Sequence, residues 1–222
     1  MPEKKRKKTL VRFNVQGVKW AMLVDGKYET PKPYGTATKI ALEPDSSVKK
    51  IFGDGKRIAS IVNDKGKTGT LSTNNVNDDF EVDMGRKLVL KSGIASIKQQ
   101  KLPVFALYFE TSGLDEDNSM PLAKTWVYGI TSPTAPSESF DQNTDDINES
   151  TFDTALEIAG VELKDADGKV YKDPKTGVDV MVWQLTATPD DPEFETFGDK
   201  VVLPVMGDGS TDDTDDTDDS EG

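Results

Sequence analysis

Pro103-Val104-Phe105-Ala106-Leu107-Tyr108-Phe109 is the most apolar stretch of this 222-residue chain. It is bounded by Pro103 and by Ser112-Gly113, shows no polar alternation, and reads as a β-strand covered on both faces. Thr125-Trp126-Val127-Tyr128-Gly129-Ile130 has the same character and is expected to pair with it across Gly113–Pro121. Working outward, Leu10 to Val24 places Val11, Phe13, Val15, Val18, Trp20 and Met22 on a near period of two, broken at Gln16-Gly17 as a bulge would break it. Phe152, Thr154, Leu156 and Ile158 alternate with Asp153, Ala155 and Glu157, the pattern of a half-buried strand.

Shorter runs fill the rest. Asp25-Gly26-Lys27 is a hairpin signal, and Lys39-Ile40-Ala41-Leu42-Glu43-Pro44 reads as a strand ending at its proline. Val48–Phe52 and Ile58–Val62 flank the turn Gly53-Asp54-Gly55. Asp64-Lys65-Gly66 introduces a short strand over Thr68–Thr73. Asn75 or Asn77 can cap a helical turn starting near Val76, with Asp78, Asp79 and Glu81 toward its positive end and Gly85 stopping it. Phe80 and Met84, four apart, would share its buried face. Asp165–Gly168 and Asp173–Gly177 read as turns, Val178–Thr188 as one strand and Lys200–Val205 as a last short one. Many strands, one short helix and no βαβ rhythm give a mainly β, α+β fold: an antiparallel sandwich or barrel with a short flanking helix.

The chain holds no cysteine and no histidine, which excludes disulfides, thiolate nucleophiles, Cys/His zinc sites, His-based triads and an imidazole switch. Its formal charge is −13. Residues 1–8 form a basic arm, with Lys4, Lys5, Arg6, Lys7 and Lys8 against Glu3. Residues 207–222 form an acidic, low-complexity tail built on a Thr-Asp-Asp repeat, which has nothing apolar to bury and is expected to be disordered. The residues between 9 and 206 read as one β domain containing a long polar loop over 131–150, and loops of that length are usually functional or mobile. An acidic body argues against a surface that grips phosphate, and no apolar run approaches the ~20 residues of a membrane span. The stretch after the basic arm is too short and polar for a signal-peptide core, so synthesis in a cytoplasm is expected.

Catalytic, cofactor and metal motifs are not found. Gly53-Asp54-Gly55-Lys56-Arg57 lacks the spacing and the Ser or Thr of a Walker loop, and a hairpin turn explains it. Asp165 and Asp167 before Gly168 resemble the start of a calcium loop, but Lys169, Val170 and Tyr171 supply no later side-chain ligands. The acidic tail could attract Ca²⁺, yet lacks the glycine turn and bidentate Glu that organise such a loop. Forty acids guarantee close carboxylate pairs in any fold, so a glycosidase pair carries no signal without geometry. Trp20, Trp126 and Trp183 would suit a glycan-binding surface module, although each lies in an apolar strand where a core role is the default.

The order of segments carries more information than any motif. Val11-Arg12-Phe13-Asn14-Val15-Gln16-Gly17-Val18-Lys19-Trp20-Ala21 is followed by Tyr28-Glu29-Thr30-Pro31 leading into Gly35, then by Ile51-Phe52-Gly53-Asp54-Gly55. Val104–Glu110, Lys124–Tyr128, a polar loop and Thr151–Ile158 complete the series. This order, over roughly residues 9 to 206, resembles the major tail tube protein of long-tailed, non-contractile bacteriophages. Phe52-Gly53-Asp54 stands where that family often has an aromatic-Ala-Asp, and the basic arm and acidic tail fall outside the pattern. The resemblance implies a non-enzymatic virion subunit with no cofactor. Such a subunit self-assembles into stacked, hexameric rings whose lumen passes viral DNA without specific binding. It also implies tape-measure and tail-terminator proteins as partners. Outside the pattern, the basic arm Lys4, Lys5, Arg6, Lys7 and Lys8 is a candidate assembly arm, a mobile segment that would order on the next ring.

Overall fold

The computed structural model describes residues 9–35, 37–99, 101–115, 119–120, 122–138 and 150–206. Along them run β1 (Thr9–Val24), β2 (Lys27–Tyr28), β3 (Lys32–Pro33), β4 (Ala37–Gly53), β5 (Lys56–Thr73), α1 (Asp78–Asp83), β6 (Lys87–Leu90) and β7 (Gly93–Ser96). Then follow β8 (Phe105–Asp115), β9 (Leu122–Thr131), β10 (Phe152–Ile158), β11 (Val161–Glu162), β12 (Met181–Val182) and β13 (Gln184–Ala187). The described residues up to Val161, with Val182–Val202, form one compact unit; Glu162–Met181, with the described residues from Leu203, form a second.

In the first unit one antiparallel sheet runs in the order β2-β1-β8-β9-β10-β5-β4, with β3 added on β1 and β13 on β9. The protein is mostly β with one short helix, consistent with a β-sandwich, and the sheet does not close into a barrel. Its centre follows from β8 and β9. Successive residues of a strand point to opposite faces, so an uninterrupted apolar run needs cover on both. Phe105, Leu107 and Phe109 enter one core with Trp20, Met22, Val127 and Leu71, while Ala106 and Tyr108 enter a second with Ala21, Trp126 and Tyr128. The first core is closed by β10, β5, β4 and α1, and the second by residues 188–202.

The helix forms as its residues require. Asn77 is the N-cap, its Oδ1 accepting the Phe80 amide at 2.9 Å while its Nδ2 donates to the Tyr34 carbonyl at 2.6 Å. Phe80 and Met84 are fully buried, and Gly85 leaves the helix at φ +68°. Phe80 lies edge-on to Trp20 and Phe105, at 5.5 and 5.2 Å between ring centroids. That geometry favours the positive ring edge against the negative face.

Four sequence expectations are corrected. The strand begun at Lys39 does not end at Pro44 but continues as β4 to Gly53. β4 stands at the sheet's edge, where a residue without an N–H removes no ladder bond. Thr68–Thr73 is not a separate short strand introduced by Asp64-Lys65-Gly66; β5 runs through that triplet with one extra residue, since Pro44 pairs with Lys67 and Ser46 with Asp64. Gly66 takes φ +100° there and donates its amide to Asp64 Oδ1 at 3.0 Å, so the bulge supplies the turn chemistry that the sequence suggested. Val178–Thr188 is split into β12 and β13 with Trp183 between them, its ring packed against the first core. Lys200–Val205 forms no strand; only Val205 makes a single bridge, to Lys164.

In the second unit two turns are built on aspartates. Asp165 Oδ1 accepts the Lys169 amide at 2.8 Å, and Asp173 Oδ1 accepts those of Lys175 and Thr176 at 2.7 and 3.0 Å. These donors hold the exposed Asp173 carboxyl below its ordinary value.

Gly129 marks where the sheet forks. Ahead of it β9 pairs with β13, and beyond it with β10. It sits at φ +61°, and a Cβ there would lie 2.2 Å from the Gly160 carbonyl oxygen. Gly129→Ala is therefore expected to cost about 3 kcal/mol or more, from left-handed strain plus a backbone collision. Gly26→Ala, at φ +76° with nothing within 4 Å, should lose only about 1 kcal/mol. Urea unfolding of the two variants checks the difference.

Candidate assembly surfaces

The sheet leaves one long border open. β4 pairs with β5 on one side and, among the described residues, with no strand on the other. Unpaired N–H and C=O groups along such an edge are a template for another chain. The outer part of the β4–β5 hairpin turns at Asp54-Gly55, with φ +49° and +72°, the left-handed pair a two-residue hairpin needs. It carries Phe52 at 64% exposure and Ile58 at 71%, with Val48 and Ile51 also exposed. Lys49, Lys50, Lys56 and Arg57 stand beside them against Asp54.

A second uncovered element is the hairpin β6–β7, which forms a sheet of its own. Val89 pairs with Ile94 and Leu88 with Ala95, so one face shows Val89 and Ile94 while Leu88 and Leu90 show on the other. Val89 is 72% exposed and Leu90 52%, and Leu88 and Ile94 are exposed as well. An isolated two-stranded ladder is marginal in water, so its root must be held. Arg86 holds it. Its backbone oxygen accepts the Ile97 amide at 2.8 Å, closing the hairpin's base. Its buried guanidinium makes a two-pronged ion pair with Glu81 of α1, Nε at 2.8 Å from Oε2 and Nη2 at 2.9 Å from Oε1. Nη1 donates to Ser132 Oγ at 3.0 Å and to the Thr134 carbonyl at 2.5 Å. Burial pushes the Glu81 carboxyl above its usual value even though Arg86 pulls the other way.

On the far side of β1, β8 and β9, residues 188–202 make a strap of successive turns with little regular structure. Donors from the sheet tie it down. Trp126 Nε1 donates to the Phe197 carbonyl at 2.7 Å, Lys124 Nζ to those of Phe194 and Glu195 at 2.8 and 3.1 Å, and Lys19 Nζ to that of Gly198 at 2.9 Å. Tyr128 Oη donates to the Val202 carbonyl. Between β13 and the strap lies a cleft of about 220 Å³. Leu185, Ala187, Phe197 and Val202 supply its apolar lining, and Asp191 and Glu193 stand among its lining acids.

The structure places the other sequence candidates as follows. Lys4, Lys5, Arg6, Lys7 and Lys8, residues 139–149 of the polar loop and the tail 207–222 lie outside the described residues. Gly53–Arg57 is the hairpin turn, and the Asp165 carboxylate is spent on its own turn. Among the described residues no group of three or more acids is placed to hold a metal ion, and no helix is long and apolar enough to cross a membrane. Trp20 and Trp126 are buried, their indole N–H groups donated to Asp83 Oδ2 at 3.0 Å and to the Phe197 carbonyl, so neither offers a ring to a sugar. Trp183 is half-buried beneath Lys67.

The β6–β7 hairpin is the element that sequence reasoning missed, and a signal for it was present. From Arg86 to Lys101 the chain carries five cations and no acid. More broadly, residues 9–101 hold sixteen Lys and Arg against ten acids, whereas 102–206 hold six against twenty-one. No protein-family model and no curated protein matches the chain.

Two outcomes follow from these contacts. Arg86→Ala leaves a buried carboxylate without its partner and should cost about 3–5 kcal/mol; replacing Glu81 and Arg86 together by Leu and Met should recover much of that, as read by urea midpoints. The second concerns alkaline pH. Burial raises Tyr34 to about 12 and lifts Tyr28, Tyr108 and Tyr128 above the ordinary tyrosine value of 10.0, with the Glu110 carboxylate adding to the effect at Tyr108. The unfolded chain releases these protons first, so it binds fewer than the folded chain and stability falls as pH rises from about 10 toward 12. Phenolate absorbance should therefore appear together with loss of the folded circular-dichroism signal, while independent, earlier ionisation of these tyrosines would contradict the packing.

Proposed function

We propose that the protein is a structural self-assembly subunit that builds rings and, by stacking them, a tube of the kind that forms a bacteriophage tail. The observation that carries this reading is the unpaired length of β4 together with an outer hairpin whose Phe52 and Ile58 are left in water. A single chain gains nothing by leaving such an edge and such side chains uncovered; a neighbour covers both, through edge hydrogen bonds and apolar burial. Contacts between unlike surfaces close into rings when the rotation permits and extend into filaments when it does not. The order of segments that resembles tail tube proteins, from Val11–Ala21 to Thr151–Ile158, points the same way.

In this reading the partners are further copies and, at the ends of the tube, tape-measure and tail-terminator proteins. The site of action is the virion, and hexameric rings are the expected unit. The outward face of β10, β5 and β4 suits a conduit wall. Asp153, Ala155 and Glu157 point away from the core opposite Ser72, Thr70 and Thr68, and these face Lys39, Ala41 and Glu43. Apart from Lys39, which stands across Ser72 from Asp153, this face carries small and acidic side chains that give DNA phosphates little to hold.

Sedimentation velocity and negative-stain electron microscopy across protein concentration and salt test the proposal. Rings or tubes that disappear in Phe52→Asp/Ile58→Asp, with the circular-dichroism spectrum unchanged, are the expected result. A chain that stays monomeric at every concentration and salt, even beside a tail-initiation complex, would overturn it.

A further inference from the structure

The geometry points to the β6–β7 hairpin as a plug that seats in the acid-rimmed apolar cleft between β13 and the strap of a second copy of this chain. The inference rests on the self-assembly reading and names two complementary surfaces for it. One is the hairpin, apolar on both faces, exposed at Val89, Leu90 and Ile94, and lying in a stretch with five cations and no acid. The other is the cleft, lined by Leu185, Phe197 and Val202 and bordered by a strap that carries Asp190, Asp191, Glu193, Glu195 and Asp199 against a single base, Lys200. Apolar side chains of the tip match the floor, and Lys91 and Lys98 match the rim.

A chain cannot readily fill its own cleft. The hairpin springs from α1, whose Phe80 and Met84 lie in the core on one face of β1, β8 and β9. The cleft adjoins Phe197 in the core on the other face of the same strands. Plug and socket therefore lie on opposite faces of one sheet, which makes the contact head-to-tail. Such a contact propagates from copy to copy without saturating. The Arg86–Glu81 anchor gives the plug a fixed direction, which lowers the ordering cost on docking. Paired charges at the rim would speed encounter and make it salt-sensitive. A membrane is the less suitable occupant of this hairpin, because the strongly acidic half of the chain would be repelled by anionic lipid.

The absence of cysteine makes the test clean. Val89→Cys and Glu193→Cys are prepared separately, mixed under conditions where wild-type protein assembles, and oxidised, and disulfide-linked peptides are identified by mass spectrometry. The expected result is an 89–193 link between copies, suppressed at least tenfold by high salt or by Ile94→Glu placed in the Val89→Cys chain. In parallel, Val89→Glu/Ile94→Glu should lower the association constant at least tenfold in sedimentation while leaving the circular-dichroism spectrum and unfolding midpoint unchanged. Assembly of wild type with no such link, and undiminished assembly of the double glutamate variant, would overturn the plug while leaving the tube reading intact. Failure of wild type to assemble at all would remove both. Loss of co-sedimentation with phosphatidylglycerol vesicles in the glutamate variant, again without the link, would assign the hairpin to a lipid surface and overturn the inference.

Discussion

Two adjacent strands that must be covered on both faces govern this protein. β8 and β9 put large side chains alternately into two cores, with Phe105, Leu107 and Val127 on one side and Tyr108, Trp126 and Tyr128 on the other. Each side demands its own cover. Fully burying one such side chain is worth about 1.5–3 kcal/mol, so leaving either face in water would cancel a large part of an ordinary domain's net stability. The two solutions differ in kind. One face is met by more sheet and a capped helix, the other by an irregular strap whose carbonyls are bound by indole, phenol and ammonium donors from the sheet itself. Those donors matter because a strap without ladder hydrogen bonds leaves carbonyls that burial would otherwise penalise.

Covering the centre in this way leaves the periphery unfinished. Among the described residues the sheet ends in a strand with one side unpaired, and two hairpins carry exposed apolar residues. Their setting is electrostatically lopsided. Both hairpins lie in the half of the chain with excess lysine and arginine, and the strap lies in the half with a large excess of acid. In the proposed assembly, copies of such a chain would repel through their net charge at a distance, yet attract where unlike surfaces meet. That combination favours specific head-to-tail contact over indiscriminate clumping. The self-assembly proposed above would need both properties, solubility before contact and directional contact afterward.

Most of the architecture can be read without coordinates where a residue pattern has one cheap solution. The alternation of Phe152–Ile158 returns as strict alternation of burial along β10. Asn77, Phe80, Met84 and Gly85 take the cap, core and stop positions their chemistry implies. The readings that failed share a cause. Pro44 and Asp64-Lys65-Gly66 are turn signals in isolation, but an edge position forgives the proline and a bulge absorbs the extra residue. Val178–Thr188 and Lys200–Val205 have strand-like composition, yet their hydrogen-bond partners are turns, a fork in the sheet and a single bridge. The β6–β7 hairpin was invisible to a reading that looked for buried faces, since its apolar residues are not buried in the chain that carries them.

Sequence alone determined the class of fold, the double-sided central strands, the capped helix, and the absence of thiol and imidazole chemistry, because each depends on residue type and local spacing. Tertiary structure decided which border of the sheet stays open, that Arg86 and Glu81 find each other in the interior, and that a cation-rich hairpin and an acid-rimmed cleft occupy opposite faces of the same strands. The reason is physical. Burial and periodicity are carried by neighbours along the chain, whereas an edge, an ion pair and a cleft exist only once segments distant in sequence have been brought side by side.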